Sequence, residues 1–215
     1  AKGGGVSLIR VTDNGCGLPS GEVEIAFQRY ATSKISSLDD LDSLSSLGFR
    51  GEALPSIAAV AEVEMVTGSR DEPAGTYLSL KGGAVIERRK EGRSPGTTVT
   101  VRNLFQSLPA RLKFLKSPTT ENSHIANVVN HYALAFPEVK FTLSIDGRVV
   151  LRTAGSGKLI DSIIQIYGVE VARNMLEIGG DRQWEASSNT VEVSGMVGSP
   201  AVSYTHLRAH ETGRN

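Results

Sequence analysis

Cysteine is almost missing from this chain: Cys16 is the one thiol in 215 residues. No intrachain disulfide is therefore possible, and a reducing setting is expected, cytoplasmic in a bacterium or otherwise intracellular. Long hydrophobic runs are missing too. None approaches the roughly 20 apolar residues of a membrane-spanning helix, and the first residues lack the pattern of a secretory signal. Net charge is zero, with 23 basic and 23 acidic side chains, so global electrostatics selects no partner. No internal repeat is found.

What remains is an ordinary globular composition, 40% apolar and 21% charged, long enough for one or two domains with a sizeable core. The balance of charge is uneven locally. From Lys81 to Lys116 the chain carries Lys81, Arg88, Arg89, Lys90, Arg93, Arg102, Arg111, Lys113 and Lys116 against Glu87 and Glu91 alone. That run reads either as a phosphate-facing surface or as a solvated face.

Gly3-Gly4-Gly5 leads into the strand-like run Val6 to Val11. Ser20 is placed to cap a helix running to about Arg29, with Val23, Ile25, Ala26 and Phe27 on its apolar side. Thr32 to Leu47 is rich in Ser, Asp and Leu without a clean period and reads as a long loop with short helical turns, of the kind that is functional or disordered. A helix is predicted over Glu52 to Val60, with Pro55 tolerated in its first turn. Strands are predicted at Val63 to Thr67, Thr76 to Leu80, Ala84 to Arg88 and Thr97 to Val101, with Gly82-Gly83 as a hairpin turn. A helix from about Glu121 to Ala135 follows. Asp146-Gly147 then joins the strands Phe141 to Ile145 and Val149 to Leu151. Residues 154–158 read as a linker to a second unit, with a helix at Leu159 to Tyr167 and a strand at Val191 to Val197.

Three glycine-marked segments stand out in order: Asp13-Asn14-Gly15-Cys16-Gly17, Ala31-Thr32-Ser33-Lys34-Ile35 and Gly48-Phe49-Arg50-Gly51-Glu52-Ala53-Leu54. The first puts an acceptor-only carboxylate at a strand end, suited to an exocyclic amino group, beside glycines that let backbone approach a ligand. The bland reading of it is a turn after an edge strand. The second gathers two hydroxyls and an ammonium, groups that meet phosphate oxygens or cap a turn. The third adds backbone N–H donors at a helix start and the charge of Arg50. Glu52 reads as helix-start stabilisation. Cys16 sits between two glycines, where its small size accounts for it.

These segments resemble the mismatch-repair ATPases of the MutL family, within the superfamily of gyrase, heat-shock chaperones and histidine kinases. The likeness continues through Gly96-Thr97-Thr98-Val99-Thr100-Val101, Leu104-Phe105 and Pro109-Ala110-Arg111-Leu112-Lys113-Phe114-Leu115, and spans Val6 to Pro200. It implies an α/β fold: a two-layer α/β sandwich that binds ATP over residues 1–153, a linker at 154–158, part of a second, smaller α/β domain at 159–200 and an atypical tail at 201–215. It implies that Asp13 binds adenine, that Gly15 and Gly17 line the base and that Thr32, Ser33 and Lys34 lie in an ATP lid. It further implies that Arg50, Gly51, Ala53 and Leu54 contact the phosphates and that Thr98 supports the adenine end. The implied cofactors are ATP and Mg2+. The implied partners are DNA, a MutS-like mismatch-recognition protein, a second copy on ATP binding, and a downstream repair nuclease or helicase.

The same resemblance places the family's water-activating Glu and magnesium-holding Asn upstream of Ala1, and finds no match for a distal Lys that reaches the terminal phosphate. Residues 1–215 are accordingly expected to be a fragment that is inactive as an ATPase alone. A non-hydrolysing assembly module of the same fold is the alternative. Two look-alikes are set aside. Gly155-Ser156-Gly157-Lys158 lacks the spacing of a Walker phosphate loop, since Arg152 and Leu159 stand where Gly and Ser or Thr are required. His206 and His210 have a metal pair's spacing, but Leu207 follows where a zinc-protease Glu would stand. His124 and His131 fall on a predicted helix and read as ordinary packing or surface residues.

Overall fold

The β-branched runs of the first half pair into one antiparallel sheet in a computed structural model, which describes residues 1–31, 51–179 and 194–199. The strands are β1 (Leu8–Thr12), β2 (Glu62–Gly68), β3 (Gly75–Lys81), β4 (Ala84–Glu91) and β5 (Gly96–Arg102), in the spatial order β1-β5-β2-β3-β4. Because β5 lies between β1 and β2, the chain's start is stitched to its middle: Thr12 and Val66 both face Thr98 across the ladder. Gly82-Gly83 makes the expected β3–β4 turn, both glycines at positive φ.

Period-two alternation sorts this sheet into two faces. Val63, Met65, Leu78, Leu80 and Val101 are buried on one face, with Ile9 and Val99 packed beside them. A helix, α1 (Ala53–Ala58), covers that face with Leu54, Ile57 and Ala58, joined by Val23 and Phe27. Full burial of a side chain such as Leu78, which is 0% exposed, stabilises by about 1.5–3 kcal/mol. Truncating it to Ala would cost about 2–5 kcal/mol once the cavity is counted.

The opposite face is charged and mutually paired. Arg102 meets Glu64 at 3.6 Å, Lys81 meets Glu62 at 2.8 Å, and Arg10 Nε donates to Thr100 Oγ1 at 3.1 Å. Arg89 lies 3.6 Å from the Tyr77 ring centroid and pairs with Glu87 and Glu91. On the core-facing side of the edge strand, Arg88, paired with Leu78 in the register, reaches Glu24 at 3.0 Å. These pairs account for Lys81, Arg88, Arg89 and Arg102 of the basic run as a neutralised, solvated surface. The Lys81 hydrogen bond, followed by that of Asn103, holds the Glu62 carboxyl below its ordinary range.

One predicted helix is replaced by shorter pieces. The segment expected to run helically from Ser20 to about Arg29 forms two 3-10 turns, Ser20–Glu22 and Ile25–Phe27. The expected cap is occupied elsewhere: Ser20 donates its hydroxyl to Glu72 Oε1 at 2.8 Å and its backbone N–H to both Glu72 oxygens at 3.0 Å. With Gly21 following at once, an α-helix has neither its cap nor favourable propensity there.

Two compact units emerge, Ala1–Asn122 and Ser123–Arg214. Between β5 and the second unit come α2 (Pro109–Leu112) and the start of α3 (Pro118–Ala135). The second unit holds the β6 (Thr142–Ile145) and β7 (Arg148–Arg152) hairpin, α4 (Leu159–Tyr167), α5 (Val169–Arg173), β8 (Met175–Ile178) and β9 (Gly195–Gly198). Buried Thr153 closes the base of that hairpin, accepting Phe141 N–H on its hydroxyl at 2.9 Å. Ser156 donates to Asp161 at 2.6 Å and accepts Lys158 N–H at 3.2 Å. The Gly-Ser-Gly-Lys segment is therefore a turn leading into α4. His206 and His210 lie outside the described residues, whereas His124 and His131 are exposed on α3. Among the described residues, no helix is long and apolar enough to cross a membrane.

Candidate functional site

Asp13 stands where β1 ends. Its Oδ1 accepts two backbone N–H groups, from Gly15 at 2.9 Å and from Thr97 at 3.1 Å, while its own N–H donates to Thr97 O at 2.9 Å. The carboxylate is thus held rigidly against the first residues of β5. Both side-chain bonds fall on Oδ1; among the described residues Oδ2 accepts none, and Asp13 is exposed. An anchored carboxylate with one oxygen to spare recognises a donor such as an amino group.

The loop after Asp13 runs against two other stretches of backbone. Gly17 has φ +69°, and a methyl group there would penetrate Gly68 O. A methyl on Gly96 would likewise meet Asp13 O. Glycine at 17 is therefore required by close backbone approach as well as by its left-handed conformation. Gly15 is freer, since a methyl there would come 3.1 Å from Asp13 Oδ1. Leu18 fastens the far end of the loop. Its N–H donates to Thr67 Oγ1 at 2.9 Å, and its side chain packs against the core.

Thr98, expected from sequence to support the base, lies on the sheet's other face, its hydroxyl 3.0 Å from that of Thr12. Alternation along β5 puts Thr97 on the Thr67 face instead, with Oγ1 3.0 Å from Thr67 Oγ1. Sequence reasoning missed both Thr67 and Thr97. The signal for Thr97 was present in period two: it shares a face with Val99 and Val101, which belong to the core.

The remaining candidates separate into two groups. Thr32, Ser33, Lys34 and Arg50 lie outside the described residues. Gly51, at φ +60°, packs against the backbone of Ala31, and its carbonyl accepts Tyr30 N–H at 3.1 Å. Ala53 is exposed in the first turn of α1, while Leu54 packs against the core and offers a ligand only its backbone. Glu52 precedes α1 with no side-chain cap bond. Among the described residues, no three His, Cys, Asp or Glu side chains gather as a metal site would require.

No family model matches the chain. Over 208 residues it is 45% identical to the DNA mismatch repair protein MutL of Halothermothrix orenii, covering 97% of this chain and 31% of that protein. Over 205 residues it is 46% identical to the MutL of Desulforudis audaxviator, covering 95% and 35%. The chain thus spans about a third of the length of these relatives. Among solved structures, the Aquifex aeolicus MutL ATPase domain complexed with ADP is similar at TM-score 0.65 and 30% identity, over 81% of this chain and 60% of that one. The N-terminal domain of a DNA repair protein is similar at TM-score 0.69 and 26% identity, over 83% and 53%.

Proposed function

This chain belongs to the MutL family of DNA mismatch repair proteins, and from that premise we propose that it binds ATP through the Asp13 loop as part of a mismatch-repair coordinator. The observation that carries the proposal is the anchored Asp13 carboxylate, with Oδ1 fixed by two backbone N–H groups. Its Oδ2 accepts the adenine amino group, and Gly15 and Gly17 leave room for the base. The solved relative with ADP supports a nucleotide as the ligand.

In this reading residues 1–153 form the nucleotide-binding region, 154–158 connect it to a second α/β unit at 159–200, and 201–215 are an atypical tail. Thr32, Ser33 and Lys34 close over the nucleotide, while Arg50 and the backbone of Gly51, Ala53 and Leu54 meet the phosphates. Mg2+ neutralises phosphate charge when bound. Among the described residues no three His, Cys, Asp or Glu side chains gather around such an ion. Nucleotide-driven closure pairs two copies into a DNA-associated clamp that links a MutS-like recognition protein to a downstream nuclease or helicase.

The test is complementation. The full-length protein carrying residues 1–215 should restore a low mutation frequency in a bacterial strain lacking its own MutL, and Asp13→Ala should not. Full restoration by Asp13→Ala would remove nucleotide binding from the function.

A further inference from the structure

Thr67 is fully buried, 0% exposed, yet its hydroxyl lies at the junction of three elements that shape the Asp13 loop. Oγ1 accepts Leu18 N–H at 2.9 Å, lies 3.0 Å from Thr97 Oγ1, and is 3.4 Å from Gly96 O. A hydroxyl has one proton and two lone pairs. With a lone pair engaged by Leu18, the proton of Thr67 has two acceptors to choose between. The shorter contact, and the one closer to the usual O–H···O distance of about 2.7–2.8 Å, is Thr97.

The choice has a chemical consequence. If Thr67 donates to Thr97, the proton of Thr97 is released to point at something else. Thr97 is only partly buried, and its backbone N–H holds Asp13 Oδ1. An acceptor, Asp13 Oδ2, and a donor, the Thr97 hydroxyl, then belong to one hydrogen-bonded unit. That pair complements a 6-aminopurine, whose amino donor neighbours a ring-nitrogen acceptor. It opposes a 6-oxopurine, which presents an acceptor and a ring N–H donor in the same two places.

We propose that Thr67 is a positioning residue for base recognition: its buried hydroxyl pins the Asp13 loop through Leu18 and orients the Thr97 proton, so that the site reads adenine and rejects guanine. This rests on the reading that the Asp13 loop binds the base. Thr67 never touches the nucleotide; it acts through Thr97 and Leu18.

The experiment uses the full-length protein carrying residues 1–215, with ATP and GTP titrated separately by calorimetry and a thermal melt run on each variant. Thr67→Val keeps the shape and removes the hydroxyl; Thr67→Ser keeps the hydroxyl. The expected result is a cooperative melt for Thr67→Val, with ATP affinity and the ATP-over-GTP preference each reduced roughly tenfold, and recovery of both by Thr67→Ser. Unchanged affinity and preference in Thr67→Val would overturn the proposal. So would equal losses in Thr67→Val and Thr67→Ser, which would assign the effect to packing. If Thr67→Val fails to fold, Thr97→Val reads the same pair from its more exposed end, and a retained preference for ATP there overturns the proposal. Asp13→Ala separates the two levels. Loss in Asp13→Ala without loss in Thr67→Val keeps the site and discards Thr67, whereas wild-type binding by Asp13→Ala discards both.

Discussion

Thr97 donates its backbone N–H to Asp13 Oδ1 at 3.1 Å across 84 residues of sequence. The bond joins the end of β1 to the start of β5. It turns a surface aspartate into a preset acceptor, because a carboxylate fixed before the ligand arrives loses little further freedom on binding.

Replacing Asp13 with Ala should therefore weaken ATP binding by roughly ten- to a hundredfold, corresponding to a charge-assisted hydrogen bond of about 1.5–3 kcal/mol. Asp13→Asn should lose at least as much, since with its amide oxygen kept on the two backbone N–H groups its NH2 donor would face the adenine amino donor. Calorimetric titration in the full-length protein checks both. Wild-type affinity in Asp13→Ala would rule out the adenine assignment.

Gly17→Ala and Gly15→Ala should behave differently although both alter the same loop. At Gly17 a methyl penetrates Gly68 O and the backbone is left-handed at φ +69°, so the loop must move. A stability loss of about 2 kcal/mol or more is expected, together with weakened nucleotide binding. At Gly15 the nearest atom is a side-chain oxygen at 3.1 Å, which a small rotation of Asp13 relieves. Paired thermal melts decide the matter, and equal melting temperatures for the two variants would contradict the close approach.

The difference between those two glycines was not legible in the sequence, where both read simply as base-lining. What could be read was local. Gly82-Gly83 and Asp146-Gly147 announced their hairpins, and the apolar spacing of Leu159 to Tyr167 predicted α4 with the bounds observed. What could not be read depended on partners far along the chain. Ser20 looked like a helix cap because nothing nearby showed that Glu72 takes its hydroxyl and N–H. Thr67 looked like the last residue of a strand, and its role follows only from the β2–β5 register that sets it opposite Thr97. Asp13, in contrast, was found because strand-then-Asp-x-Gly is a local signal.

The Glu62 pair yields a pH dependence. Hydrogen bonds from Lys81 and then Asn103 lower the Glu62 pKa in the folded state. A depressed carboxyl pKa adds stability above the unfolded value, about 4.3 for glutamate, and that contribution is lost as pH falls through the lower folded value. Glu62→Gln should thus melt slightly below the wild type at pH 7, with the difference shrinking as pH drops through the carboxylate range. The effect is small because the pair is solvent-exposed. A difference that grows on acidification would carry the wrong sign and refute this account.

The last prediction concerns turnover by residues 1–215 themselves. Hydrolysis of the terminal phosphate needs a positioned water, a base and stabilisation of charge on the transferring group. The described residues supply the anchored acceptor of Asp13 and backbone donors near Gly51. No group of three or more His, Cys, Asp or Glu among them assembles as a metal site. From the sequence, no match to the family's water-activating Glu, magnesium-holding Asn or phosphate-reaching Lys is expected among residues 1–215. Binding without chemistry is the expected behaviour of residues 1–215. Phosphate release should remain at background with ATP and magnesium present, and should rise in the full-length protein. The control is Asp13→Ala in that full-length protein, which should lower turnover at limiting ATP by weakening binding. Steady, magnesium-dependent phosphate release from residues 1–215 alone would mean that the base lies within this stretch and that the chemistry has been assigned to the wrong residues.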